Sequence, residues 1–169
     1  MTTIVCIVGP SGCGKTAMVH IIEKELNIPM LVSYTTRPIR DNETNGIDHH
    51  FVTEDQMPPK EEMLAYTNFG GYHYWMPLSE IPTSGICTYV IDEKGLLMLK
   101  EIYSRQFNIR SILIKRDIAL LMQQVGEARV KRDLDRVTIP EEDYDYIITN
   151  NGCIDDFFTQ SLNIFKQLL

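Results

Sequence analysis

Apolar residues along this chain follow two rhythms: short unbroken runs, and longer stretches in which they recur at helical spacing. Residues 3–8 are nearly all apolar, as in a parallel strand covered on both faces. From Lys15 to Leu26, residues Met18, Val19, Ile21, Ile22 and Leu26 fall at helical spacing, and Pro29 helps end that unit. Residues 33–56 are polar, with Pro38, Asn42, Asn45 and Gly46 as turn signals. Residues 57–82 open on Pro58-Pro59, continue as a short helix-like run and end in an aromatic cluster. Ile86 to Ile91 predicts a second buried strand ending in Asp92, followed by a helix through Leu96, Leu97, Leu99, Ile102 and Tyr103. A third strand is expected over 109–114, a long charged helical region over 117–136, and a short strand over 146–149. The amphipathic stretch 155–169 closes the chain as a helix.

Strands alternating with helices predict an α/β fold with a largely parallel sheet. The polar segment of about 33–82 breaks that rhythm and reads as an inserted lobe between core residues 1–32 and 83–169. The length of 169 residues fits one domain, and a 44% hydrophobic content suffices for a full core. With a net charge of −7 and no basic face, a nucleic-acid polymer is not an expected partner, but an anionic small substrate is not excluded. Cys6, Cys13, Cys87 and Cys153 lack metal-ligand spacing and read as reduced thiols of a cytoplasmic protein. The five-residue N-terminal apolar run has no basic leader, so neither a signal peptide nor a membrane span is expected.

The most specific chemistry lies in Gly9-Pro10-Ser11-Gly12-Cys13-Gly14-Lys15-Thr16, which fits G-x-x-x-x-G-K-[ST] at every fixed position. It stands between a predicted strand and a predicted helix, the context in which this loop cradles phosphates. Main-chain N–H groups would face the anion, Lys15 would reach the outer phosphates, and Thr16 would offer its hydroxyl to Mg²⁺. A nucleoside triphosphate, or a close relative, is the expected ligand.

Arg37 and Arg40 lie three apart in a polar loop, where two planar guanidinium groups would hold a second phosphorylated molecule. Asp92, at the end of an apolar strand, is placed to orient Mg²⁺ through water or to cap the helix that follows. Arg129, Arg132 and Arg136 are spaced to share one helical face. Beside a phosphate loop, arginines on a lid of about 120–138 would stabilise charge on a moving phosphoryl group, and Arg129 and Arg132 are the better candidates. Adjacent His49 and His50 would point to opposite sides of an extended segment, so they are poor joint metal ligands. His49 and His73 read instead as polar groups of a substrate pocket, and Trp75 reads as packing.

Together these segments resemble the guanylate kinase family. Gly9 to Thr16 is similar to its G-P-S-G-x-G-K-[ST] loop, and Ser33 to Arg40 to its S-x-T-T-R-x-x-R segment. Gly46 to Val52 is similar to its G-x-D-Y-x-F-V segment. The resemblance implies a phosphate-loop kinase with a parallel-sheet core, an inserted monophosphate-binding lobe and a short lid. It also implies phosphoryl transfer from ATP, with Mg²⁺, to GMP or dGMP. By position, it implies that Ser33 and Tyr74 contact the monophosphate substrate and that Arg37 and Arg40 grip its phosphate. Asn150 would lie near the donor's adenine.

The chain also departs from that family. His49 replaces a tyrosine, and Ala65 replaces a glutamate that reads the guanine edge. Tyr74-Trp75-Met76 loses a hydroxyl at its last position, Val90 replaces an acidic residue, and residues 120–136 are shorter than the usual lid. Phosphate handling is therefore retained while guanine reading is depleted. Three functions remain open on the sequence: a nucleoside monophosphate kinase, a kinase of a sugar phosphate such as ribose bisphosphate, and a non-catalytic module that binds phosphorylated protein segments.

Overall fold

A computed structural model describes all 169 residues. The N-terminal apolar run forms β1 (Thr3–Val8), and α1 (Lys15–Leu26) follows the glycine-rich loop. Asn27 ends α1 in the left-handed conformation (φ 53°), its N–H bonded to Glu23 O. Next come β2 (Met30–Leu31), β3 (Tyr34–Thr35), β4 (His50–Phe51), β5 (Met63–Phe69) and β6 (Tyr72–Pro77). The C-terminal half contains β7 (Ile86–Val90), α2 (Glu93–Tyr103), β8 (Asn108–Lys115), α3 (Ile118–Val125), α4 (Glu127–Leu134), β9 (Tyr146–Thr149) and α5 (Ile154–Leu168).

Five strands form a parallel sheet in the order β2-β7-β1-β8-β9. Alternation along β1 divides the core between its faces. Ile4, Cys6 and Val8 pack with Leu96 and Leu99 of α2, while Val5 and Ile7 pack with Met18, Val19 and Ile22 of α1 and Phe157 and Phe165 of α5. Each fully buried side chain of this size stabilises by about 1.5–3 kcal/mol. Because β1 is central, its following loop emerges mid-sheet at the carboxyl ends of the strands, where open α/β sheets bind ligands.

Residues 34–77 supply a second sheet, in the order β4-β3-β6-β5. Here the structure differs from the sequence expectation. The helix-like run before the aromatic cluster is only a short 3₁₀ turn over Lys60–Glu62, and the residues after it form the β5–β6 hairpin. Gly70 and Gly71, both at positive φ, make its turn. Trp75 is buried, in keeping with a packing role.

The expected long helix over 117–136 is also two helices, α3 and α4, broken at Gly126 (φ 84°). They pack back on the core through Leu121 and Val130. A Cβ on Gly12 would meet Val125 Cγ1 at 2.6 Å, so the end of α3 lies directly against the phosphate loop. No helix is long and apolar enough to cross a membrane.

Candidate active site

The loop from Gly9 to Thr16 turns tightly between β1 and α1. Gly14 (φ 112°) leaves no room for a side chain: a Cβ there would come within 2.8 Å of Asn150 Nδ2 and 3.2 Å of the Phe157 ring. Lys15 folds back over the loop, its Nζ donating to Gly9 O at 2.8 Å and Pro10 O at 2.9 Å. Burial holds the Lys15 ammonium below the usual lysine range, and the nearby Arg136 adds to that effect. Cys13 turns its thiol into the core, where burial pushes its pKa up, so only its main chain borders the phosphate position.

Asn150 is buried, and its side-chain amide donates to Cys13 O at 2.8 Å. This residue therefore braces the phosphate loop. Thr16 is exposed and lines a cavity of about 450 Å³ together with Lys15 and Asn150.

The short α3–α4 segment contributes contacts that spacing alone did not reveal. Asp133 accepts a 2.6 Å hydrogen bond from the main-chain N–H of Ser11. Burial opposes its ionisation, but the Ser11 contacts and Arg132 hold the carboxyl below the usual aspartate range. Arg132 also donates to Ser11 Oγ at 3.2 Å. Arg136 lies beyond the end of α4, so the expected shared helical face does not extend to it. It forms a 2.6 Å ion pair with Glu93 and reaches Gly9 O at 3.5 Å. Arg129 is exposed and faces the same cleft.

Ser33, Arg37, Arg40, His49, Tyr74 and Asp92 all line one cleft of about 380 Å³. Arg37 is buried and bidentate to Glu43, at 2.9 Å and 2.8 Å. Glu43 also accepts from the Arg40 N–H at 3.0 Å, so it ties both arginines into one arrangement. The spacing of Arg37, Arg40 and Glu43, each three residues apart, was the available sequence signal for this carboxylate. His49 Nδ1 lies 2.8 Å from Ser33 Oγ, and burial, followed by Arg37, keeps its pKa below the usual histidine range. His50 instead stacks on Tyr34 with ring centroids 4.4 Å apart, so the two histidines diverge. Asp92 caps α2, its Oδ1 accepting from Gly95 N at 2.7 Å.

Ser11 and Lys15 of the phosphate loop line this same cleft, as do Arg132, Asp133 and Arg136. One continuous space therefore joins the loop to the Arg37–Arg40 pair. On its other wall, Ala65 sits in a β-bulge at φ 52° and Val90 follows from β7. Met76 is fully buried in the core, so its position offers the cleft no polar group.

The guanylate kinase family model matches residues 1–167. This chain belongs to the guanylate kinase family. A guanylate kinase of Malacoplasma penetrans is 28% identical over 166 residues, covering 88% of this chain and 85% of that protein. One from Ehrlichia canis is 29% identical, covering 96% and 89%. The crystal structure of guanylate kinase from Anaplasma phagocytophilum superposes with a TM-score of 0.75 at 25% identity, covering 98% of this chain and 85% of that one. An unliganded sugar kinase from Janibacter shares the fold at a TM-score of 0.55 and 10% identity. Family membership makes the chain a kinase of the nucleoside monophosphate type, with the sheet and phosphate loop expected of it.

Proposed function

We propose that this guanylate kinase family member transfers the γ-phosphoryl group of ATP to a nucleoside monophosphate of the GMP or dGMP type, with weakened selection for guanine. The carrying observation is that Lys15 and Ser11 share a single cleft with Arg37 and Arg40. In this reading the donor's phosphates lie on the loop N–H groups, with Lys15 swinging from the Gly9 and Pro10 carbonyls to the outer phosphates. Arg37 and Arg40 hold the acceptor phosphate, with Ser33, His49 and Tyr74 beside them. Arg132 and Arg129, one turn apart on α4, supply positive charge as negative charge spreads over the transferring group. The acceptor oxygen is already anionic, so the reaction needs no general base. Catalysis then rests on alignment and charge stabilisation.

The residues present fit Mg²⁺. Thr16 offers an exposed hydroxyl, and Asp92 has one carboxylate oxygen beyond the one that caps α2. No cluster of three or more His, Cys, Asp or Glu side chains exists that would hold a metal by itself. That suits an ion carried chiefly by substrate phosphates and water. When bound, Mg²⁺ would neutralise charge on the donor's phosphates.

Weakened guanine selection follows from Ala65 and Val90. A site that pairs a buried acceptor with a base's N–H groups rejects bases lacking them by large factors. Ala65 and Val90 offer no such side-chain acceptor. An ADP-release assay across all ribo- and deoxynucleoside monophosphates tests this. GMP and dGMP should be accepted with less than about a hundredfold advantage in kcat/KM over the other bases. A much larger preference would show that guanine is read by other groups, and no acceptor-dependent release would refute the kinase reading.

A further inference from the structure

Tyr89 stands near the end of β7, in register with Cys6 of β1 and Leu31 of β2. It is 3% exposed and belongs to the same core cluster as Ala65 and Met76. It nevertheless lines the acceptor cleft of about 380 Å³, together with Ala65, Val90 and Ile91.

Of the residues lining that cleft, two with polar side chains are buried, Arg37 and Tyr89. Arg37 is spent on Glu43, at 2.9 Å and 2.8 Å. The Tyr89 hydroxyl has no hydrogen-bond partner in the protein. Trp75 Nε1 and Thr88 Oγ1 are also unpaired, but they are sealed off, whereas the Tyr89 hydroxyl is not, and Tyr89 meets open space at the cleft. A buried hydroxyl without a protein partner is completed by a ligand or by water. Burial, with Cys6 and Asp92 nearby, pushes the phenol above its ordinary pKa, so it stays neutral and keeps its proton to donate.

The surroundings indicate which part of an acceptor nucleotide lies there. Its phosphate is provided for at Arg37 and Arg40. A ribose carries several hydroxyls and calls for several polar partners, whereas Ala65, Val90, Ile91 and the Tyr89 ring are apolar. A flat aromatic base with a polar edge fits an apolar wall that carries one hydroxyl.

We propose that the Tyr89 hydroxyl hydrogen-bonds the base of the acceptor nucleotide and responds to the presence of a base rather than to guanine in particular. A neutral hydroxyl both donates and accepts, so it pairs with a ring nitrogen, a carbonyl oxygen or an amino group. A carboxylate only accepts, and so selects a base edge rich in N–H groups. Tyr89 is thereby a specificity-determining residue that broadens the choice of acceptor. This rests on the kinase reading above and deepens it.

The test measures ADP release with GMP, AMP, CMP and UMP, and the inhibition of GMP turnover by ribose 5-phosphate, which presents the phosphate without a base. Tyr89→Phe removes the hydroxyl and keeps the ring. It should lower kcat/KM about tenfold for every nucleotide, the scale of one hydrogen bond, and leave the GMP-to-AMP ratio within about threefold. The inhibition constant of ribose 5-phosphate should stay within about twofold. The melting temperature of the unliganded variant should equal or exceed that of wild type, because the hydroxyl has no partner to lose. Unchanged kcat/KM, a loss confined to GMP, an equal loss for ribose 5-phosphate or a lowered melting temperature would each overturn the proposal. Wild-type protein that releases ADP with none of these nucleotides would instead overturn the kinase reading itself.

Discussion

The Asp133 carboxylate lies 2.6 Å from the main-chain nitrogen of Ser11, as a charge-assisted hydrogen bond on the phosphate loop. The chain thus presents one of its own anions to an N–H group of an anion-binding loop, across 122 residues of sequence. A bound triphosphate and this carboxylate repel one another, and they compete for the Ser11 donor. Asp133→Ala should therefore tighten Mg²⁺-ATP binding by about threefold to tenfold, on the scale of the net contribution of one ordinary hydrogen bond. Calorimetric titration checks it, and weaker binding would show that Asp133 supports the donor site instead of competing for it. The variant should also be less stable by about 1 kcal/mol, because a contact joining the α4 region to the loop is lost.

Lys15 is the one lysine on the phosphate loop, and its ammonium rests on two loop carbonyls. Lys15→Ala should lower turnover by about a hundredfold or more, because it removes a charge aimed at the outer phosphates. Its far-ultraviolet circular dichroism should match wild type. Retained turnover in a folded variant would remove Lys15 from the mechanism.

Glu43 connects acceptor-side chemistry to stability. Its hydrogen bonds with Arg37 hold its carboxyl below the usual glutamate range, although burial acts in the opposite direction. A carboxyl depressed in the folded state contributes stability that is full above its unfolded pKa of about 4.3 and lost as pH falls through the lower folded value. Thermal unfolding between about pH 5 and pH 3 should therefore show a steeper loss for wild type than for Glu43→Gln. Parallel curves would mean that the pair adds nothing to stability.

What could be read in the sequence follows the range of the interactions involved. The β1–loop–α1 unit was legible because fixed glycines, Lys15 and a helical apolar period lie within one short segment. Two-residue β2 was missed, since Met30 and Leu31 carry no period and Pro29 looks only like a terminator. The β5–β6 hairpin was obscured by the bulge at Ala65, which breaks strict alternation, although Gly70-Gly71 marked its turn. Gly126 was the unread signal that divides the expected long helix. The contacts of Asp133 and Arg116 with the phosphate loop span more than a hundred residues each, and no local pattern encodes them.

Ala65 provides a gain-of-function test of base selection. It lines the acceptor cleft and stands where the resemblance to the family puts a guanine-reading glutamate. Ala65→Glu restores a carboxylate without changing the left-handed preference of the position, since both residues are equally disfavoured there. Its kcat/KM ratio for GMP over AMP should rise about tenfold or more over wild type. No rise in the ratio would place base reading elsewhere in the cleft.

The central claim is that the phosphate loop and the Arg37–Arg40 pair serve one transfer between two phosphates across a shared cleft. Phosphorus NMR of the protein with Mg²⁺, ATP and GMP follows donor, acceptor and products together. The account predicts ADP and GDP appearing in equal amounts, with no accumulation of inorganic phosphate, and a marked slowing of both in Arg37→Ala. Inorganic phosphate formed in place of GDP, or ATP and GMP left unchanged, would contradict it.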